Sequence, residues 1–439
     1  MVKKKTTQQG AGTVTANPTR YRVDGEIGRF QFCTHQLAAQ GQVLFDSARE
    51  LFPPLQGEQW YLTRGFQEIA LHYGVARRSY RDTTQAINRQ RFVEEATPVR
   101  TLRQQSERVG AQLQAQLAEK TQAILVAHGW EKTDEDAPVL GPVQTATLPA
   151  VAVAAALTAC AADAAARAEM EANPVPYEDP QQSVRVAVDD VGVKRQKATR
   201  RPKKSAVPQD AESAAVKEEQ KRVHTTVAHV ENEDGQYVLS GLGVVAVLKQ
   251  VLAFLLANGL TTRTLLVFVD GQRSLHQALI QVLSCYRHWQ VILDWYHLEK
   301  RCREDLSMAL PGRTRRNEVL ADLLPLLWDG RVSSAQAYLK ALPAEQLRNE
   351  NKLAELRGYL ERQRPHIPCY AVRRHLGLRN SSNRGEKEND LVVATRQKHN
   401  GMSWSPAGSI ALASLSTAAR NDELIRWFQT GEIQFKLAA

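Results

Sequence analysis

Three apolar stretches of this chain lead into carboxylates. "VRVAVDDVGVK" places Asp189 and Asp190 after alternating valines, "TLLVFVDG" ends in Asp270-Gly271, and "WQVILDWYHLEK" turns at Asp294, with His297 one helical turn further on. A fourth segment, "NRGEKENDLVVA", supplies Glu386, Glu388 and Asp390. Carboxylates gathered in one crevice repel one another, and a divalent cation relieves that repulsion. Mg²⁺, or Mn²⁺ in its place, takes carboxylate oxygens together with water and substrate phosphate. Two such ions, about 3.5–4 Å apart, suit in-line displacement at a phosphodiester. Lys and Arg number 57 against 47 Asp and Glu, a net charge of +10, which suits a polyanionic partner. Acids and charge together point to work on DNA.

These residues need strands to present them. Val184, Val186 and Val188 alternate toward one face of a first strand, with Asp189 on the other. "VHTTVAHVE" and "YVLSG" read as two more strands joined through Asp234-Gly235, a hairpin signal. "GVVAVLKQVLAFLLANG" is a helix closed by Asn258-Gly259, and "TLLVFVDG" is a strand apolar enough to be covered on both faces. A helix, "SLHQALIQVLSCY", and another buried strand, "WQVILDW", follow. The expected order is β-β-β-α-β-α-β in a mixed five-stranded sheet. In open α/β sheets the carboxyl ends of strands face the ligand crevice, where the acids would stand.

Several assignments have rivals. Asp190 competes with Asp189. Asp270 before Gly271 also suits an ordinary turn. Glu386 and Asp390 share a helical face from which Glu388 points away. His297 reads either as a lining residue of the site or as a satisfied core histidine, so Asp294 and His297, with Asp190, are taken as support for the site.

"VAVDDVGVK", "LLVFVDGQRSL", "VILDWYHLEK" and "NRGEKENDLVVATRQKHNGMSWSPAGSIALASL" together resemble the catalytic core of bacterial insertion-sequence DDE transposases of the Mutator-like, ribonuclease-H-fold clan. The resemblance spans roughly residues 184–421. It implies that Asp189, Asp270 and Glu386 are the catalytic, metal-holding acids, and that Asp294-x-x-His297 is the clan's motif after the second Asp. It also implies a ribonuclease-H-like core, Mg²⁺, double-stranded DNA as partner, strand cleavage at transposon ends, 3′-hydroxyl transfer, and a homodimer or larger synaptic complex. Two other functions stay open: a non-catalytic DNA-binding protein derived from a transposase, and a structure-specific nuclease on the same fold.

The rest of the chain reads as follows. Residues 1–20 form a disordered basic tail, and 21–136 an all-α domain. There, helices at Thr63–Tyr73 and Arg78–Asn88 turn at Gly74 in helix-turn-helix outline, and Arg77, Arg78 and Arg81 are candidate DNA contacts. A long helix begins at Thr97-Pro98. Residues 137–183 are an Ala/Pro-rich linker with a helix from Ala150 to Glu171, and 184–297 are the first part of the core. A helical insertion covers 298–380, and 381–439 complete the core, with a second helix capped by Ser405 before Pro406. The acid-free run "KRQKATRRPKK" offers Lys194, Arg195, Lys197, Arg200, Arg201, Lys203 and Lys204 to phosphates. "PGRTRR" and "RQKHN" are weaker candidates of the same kind.

The five cysteines form no C-x-x-C pair, which disfavours a zinc ribbon or a disulfide framework and fits a reducing cytosol. The basic N-terminus lacks an apolar signal region, and the run Val151–Ala162 falls short of the ~20 residues that span a bilayer. A soluble, cytoplasmic protein acting at the nucleoid is the expectation.

Overall fold

The computed structural model describes residues 13–14, 18–40, 42–51, 60–77, 79–91, 97–130, 139–197, 221–398 and 401–437. The chain divides into two compact units. One comprises Met1–Leu117, Gly192–Thr225 and Leu391–Gln434; the other comprises Ala118–Val191, Thr226–Asp390 and Phe435–Ala439.

The second unit is built on the expected mixed sheet. Its strands are β7 (Ser183–Lys194), β8 (Arg222–Glu231), β9 (Gln236–Gly241), β10 (Thr264–Val269) and β11 (Trp289–Leu293), in spatial order β11-β10-β7-β8-β9. β10 runs parallel to both β7 and β11, and β8 is antiparallel to β9. The hairpin turn at Asp234-Gly235 forms as read, with the Asn232 side chain accepting from both backbone N–H groups. All six residues of β10 are buried, as a strand covered on both faces requires. The helix Val244–Ala257 ends at Asn258, and Gly259 takes the left-handed conformation (φ 64°) that stops it.

β7 differs from expectation in one respect. It does not end at Asp189-Asp190 but continues to Lys194, with Val191 and Val193 buried beyond the acids. Both acids therefore sit inside a strand.

The region 298–380 is helical as expected, with helices at Trp295–Ala309, Gly312–Trp328, Val332–Lys340, Glu350–Gln363 and Tyr370–His375. The supposed linker 137–183 is instead folded. Its helix breaks in two, Ala150–Cys160 and Ala164–Glu171, because Asp163 caps the second by accepting from the Ala166 N–H at 2.7 Å. Ala156, Leu157 and Met170 bury against Cys369 and Val372. Glu178 makes a doubly hydrogen-bonded ion pair with Arg373, both buried. Alanine-rich composition hid a packing face that only its partners reveal.

The first unit is not all-α. Six short strands, with a short helix at Ser47–Leu51 before the last of them, form two three-stranded sheets: β1 (Thr13–Val14), β4 (Leu37–Ala39) and β5 (Gln42–Phe45) in one, and β2 (Thr19–Gly25), β3 (Gly28–Thr34) and β6 (Trp60–Leu62) in the other. Strand therefore begins inside the segment read as a disordered tail. Helices follow at Arg64–Ala76, Tyr80–Gln90 and Val99–Ala127. Thr63 caps the first and Ser79 the second, so the break falls at Arg77–Ser79 and not at Gly74, which is buried within the first helix. Leu62, Phe66, Ala70, Ile87 and Leu102 form one cluster among these elements.

The helix Pro406–Arg420, capped by Ser405 as the sequence foretold, is buried continuously from Gly408 to Ala418. It belongs with the N-terminal elements and not with the sheet. A Cβ on Gly110 would stand 2.2 Å from the Ala411 carbonyl oxygen, so Gly110 permits that close crossing. Among the described residues no helix is long and apolar enough to cross a membrane.

Candidate active site

Strand register sets the acids level with one another. Phe268 pairs with Ala187 of β7 and with Ile292 of β11. Two residues further along these parallel strands, Asp189, Asp270 and Asp294 therefore stand abreast. Their chemical surroundings then separate them.

Asp294 is fully buried, and both its oxygens are occupied. Oδ1 accepts from the backbone N–H groups of Tyr296 (2.7 Å) and His297 (3.3 Å), capping the helix Trp295–Ala309. Oδ2 accepts from the Ser382 N–H and from the Ser382 hydroxyl at 2.8 Å. It thus joins the end of β11 to the start of the helix Asn383–Asn389, which carries Glu386. Asp294 is an anchor with no oxygen left for a ligand.

Asp189 and Asp270 line one cavity together with Asp190, Gln272 and Ser274. Burial raises the pKa of Asp189; the Asp190 N–H opposes that shift, the negative charge of Asp270 adds to it, and His297 opposes it. Asp189 Oδ1 accepts from the Asp190 N–H at 2.8 Å, and Oδ2 from Asn389 Nδ2 at 2.5 Å. Asp270 Oδ1 accepts from the Gln272 N–H at 2.9 Å, and Gly271 behind it has φ +85°. Asp190 is more exposed, and its Oδ1 is taken by the Thr226 hydroxyl. Of the adjacent pair, Asp189 is the one coupled to Asp270, His297 and the Glu386 helix.

Glu386 is half-buried, with Oε1 3.1 Å from His297 Nε2. Its helix lies close over β7: a Cβ on Gly385 would come within 2.6 Å of the Ala187 Cβ. Glu388 is buried and Asp390 exposed. Among the described residues no group of three or more His, Cys, Asp or Glu is arranged to hold a metal ion. The fold thus brings Asp189 to Asp270 and Glu386 to His297, without closing all three acids into one ligand set. The Asp189–Asp270 pair itself fits a divalent cation, since two carboxylates share a cavity and one of them is destabilised as an anion there.

Two residues that sequence reasoning passed over adjoin the pair. Asn389 follows Glu386 by three residues, the spacing of one helical face, and that spacing was its only signal. Tyr359, from the helix Glu350–Gln363, has a buried hydroxyl without a hydrogen-bond partner among the described residues. That hydroxyl oxygen would lie 2.6 Å from a Cβ on Gly271. Burial raises its pKa, with smaller contributions from Cys302 and Asp270. Nothing in the sequence of the insertion marks it.

The described candidate DNA contacts, the weaker ones aside, all fall in the first unit. Arg77 and Arg81 are exposed at the first unit's helix pair, and Lys194, Arg195 and Lys197 are exposed at the end of β7 and just beyond it. Arg78, Arg200, Arg201, Lys203 and Lys204 lie outside the described residues. Of the weaker candidates, Arg315 pairs with Glu318 at 2.9 Å. Arg396 of "RQKHN" is buried, donates to the Gly74 carbonyl at 3.2 Å, and stands 4.6 Å from the Tyr80 ring centre. Its guanidinium holds the first unit together and cannot meet a phosphate there.

No family model matches the sequence, and no curated protein matches it. Among solved structures, the chain is similar to one described as the Drosophila P element transposase strand transfer complex, at 10% identity and a TM-score of 0.26, over 89% of this chain and 88% of that one.

Proposed function

We propose that this protein is a DDE-type DNA transposase with a ribonuclease-H-like core, which cleaves DNA strands at transposon ends and joins the resulting 3′-hydroxyl to target DNA. The observation that carries this reading is the register that sets Asp189 and Asp270 side by side in one cavity. The strand order, with three parallel and two antiparallel-linked strands around β7, supports the fold assignment.

In this reading Asp189 and Asp270 hold Mg²⁺, for which Mn²⁺ can substitute, and Glu386 completes the site. The bound cation would supply charge neutralisation at the scissile phosphate and lower the pKa of water. Asp189 is held in one orientation by the Asp190 N–H and Asn389, so its oxygens need no reorganisation on binding. His297 orients the Glu386 carboxylate through the contact between its Nε2 and Glu386 Oε1. Water, and afterwards the 3′-hydroxyl, attacks phosphorus in line while the opposing oxygen departs. The first unit's helix pair, with Arg77 and Arg81, would bind end sequences, and Lys194, Arg195 and Lys197 would neutralise phosphates. Two ends require two active sites, hence a homodimer or larger synaptic complex.

A second reading, a non-catalytic DNA-binding protein, is favoured by Glu386 being engaged with His297 and not with the Asp pair. Labelled transposon-end DNA incubated with wild type, Asp270→Asn and Glu386→Gln, with and without Mg²⁺, decides between them. Metal-dependent cleavage lost in both variants supports catalysis, and joined strands separate a transposase from a nuclease. Binding without any cleavage by the wild type overturns the enzyme reading.

A further inference from the structure

We propose that Asn389 is a positioning residue of the cation site: its amide N–H fixes Asp189, and its buried carbonyl oxygen, which has no partner among the described residues, would serve as a neutral donor for the cation. This rests on the metal-dependent reading above and adds a member to that site.

Three observations meet at this side chain. Asn389 is only 5% exposed, and its Nδ2 lies 2.5 Å from Asp189 Oδ2. Its Oδ1 is buried with no hydrogen-bond partner among the described residues. An unsatisfied carbonyl in such a place is costly, and Asn carbonyls are accepted ligands of hard divalent cations. The same amide therefore satisfies one group of the site and lacks an acceptor's partner of its own, within an amide's width of Asp189.

Its placement also gives it a linking role. Asn389 lies three residues after Glu386, on a helix anchored at its start by Asp294 and pressed against β7 at Gly385. Asp189 is thereby tied to the helix that bears Glu386. Hydrogen bonds of this kind to metal-ligating carboxylates fix their orientation, and losing one typically weakens metal affinity by about 10–100-fold.

The test is Mn²⁺ binding to the full chain without DNA, followed by the electron paramagnetic resonance signal of the free ion. Wild type, Asp270→Asn and Asn389→Leu are compared, with circular dichroism and thermal melts to check folding. Leu keeps the branched skeleton of Asn without its polar atoms, so a residue that only fills space would leave affinity unchanged. The expected result is weakening of about 10–100-fold in Asn389→Leu, with the melting temperature kept to within a few degrees. Should that variant not fold, Asn389→Ser, smaller and polar, is read in the same way. Equal affinity in wild type and the Asn389 variant, with binding lost in Asp270→Asn, overturns this inference and leaves the proposed function standing. No Mn²⁺ binding by the wild type, or binding indifferent to Asp270→Asn, overturns the metal-dependent reading itself.

Discussion

His297 Nε2 meets Glu386 Oε1 at 3.1 Å, joining the first turn after β11 to the helix that lies over β7. If Glu386 acts where it stands, His297→Ala should lower single-turnover DNA cleavage by about 10–100-fold with DNA affinity unchanged, as loss of an orienting partner typically does. Faster cleavage would instead show that the histidine holds Glu386 back from the Asp pair.

Asp294 bears on stability more than on chemistry. Its carboxylate is buried and accepts four hydrogen bonds, two from a helix N-terminus and two from Ser382. Asp294→Ala removes a cap and leaves those donors unpaired, which should cost about 2–4 kcal/mol. Asp294→Asn keeps part of the bonding and should cost roughly half as much. Urea unfolding followed by circular dichroism measures both, and a neutral Asp294→Ala would contradict the anchoring role.

Gly385→Ala tests the close approach of the Glu386 helix. The added Cβ would face the Ala187 Cβ at 2.6 Å, so the helix must shift. Overpacking of this size costs about 1–3 kcal/mol, and displacement of Glu386 and Asn389 should reduce cleavage by more than tenfold. Ala187→Gly in the same chain should restore much of both, since the two sites are in contact and their effects are coupled.

The raised pKa of Asp189 has a definite sign in stability. Burial and the charge of Asp270 favour the protonated form in the folded chain, so the folded state binds protons more tightly than the unfolded state. Stability is then lost as pH rises above about 4, the ordinary range of an aspartate, in the absence of divalent cations. Asp189→Asn should melt close to wild type at pH 4 and a few degrees higher at pH 7 in a chelator. Parallel melting curves across this range would exclude the effect.

Lys194, Arg195 and Lys197 are exposed and should act through charge alone. Replacing one of them by Gln should reduce the slope of log affinity for duplex DNA against log salt by about 1, regardless of DNA sequence. Fluorescence anisotropy at several salt concentrations reads this directly, and an unchanged slope would remove that residue from the interface.

The sequence alone determined what depends on local periodicity and capping. The alternation around Val186, the unbroken apolar run of β10, the stop at Asn258-Gly259 and the cap at Ser405-Pro406 each rest on a few neighbouring residues, and each formed as read. Short mixed strands such as Thr19–Gly25 and the alanine-rich helices before β7 were not legible, because their buried faces exist only against partners elsewhere in the chain, Ala48 for the strand and Cys369 and Val372 for the helices. Tertiary structure likewise decided the fate of four acids that look alike in sequence. Register placed Asp189, Asp270 and Asp294 abreast, but Ser382 and two backbone N–H groups consumed Asp294, Thr226 took Asp190, and Asn389 reached Asp189. A carboxylate's role follows from which donors lie within about 3 Å of it, and those donors come from parts of the chain that only folding brings together.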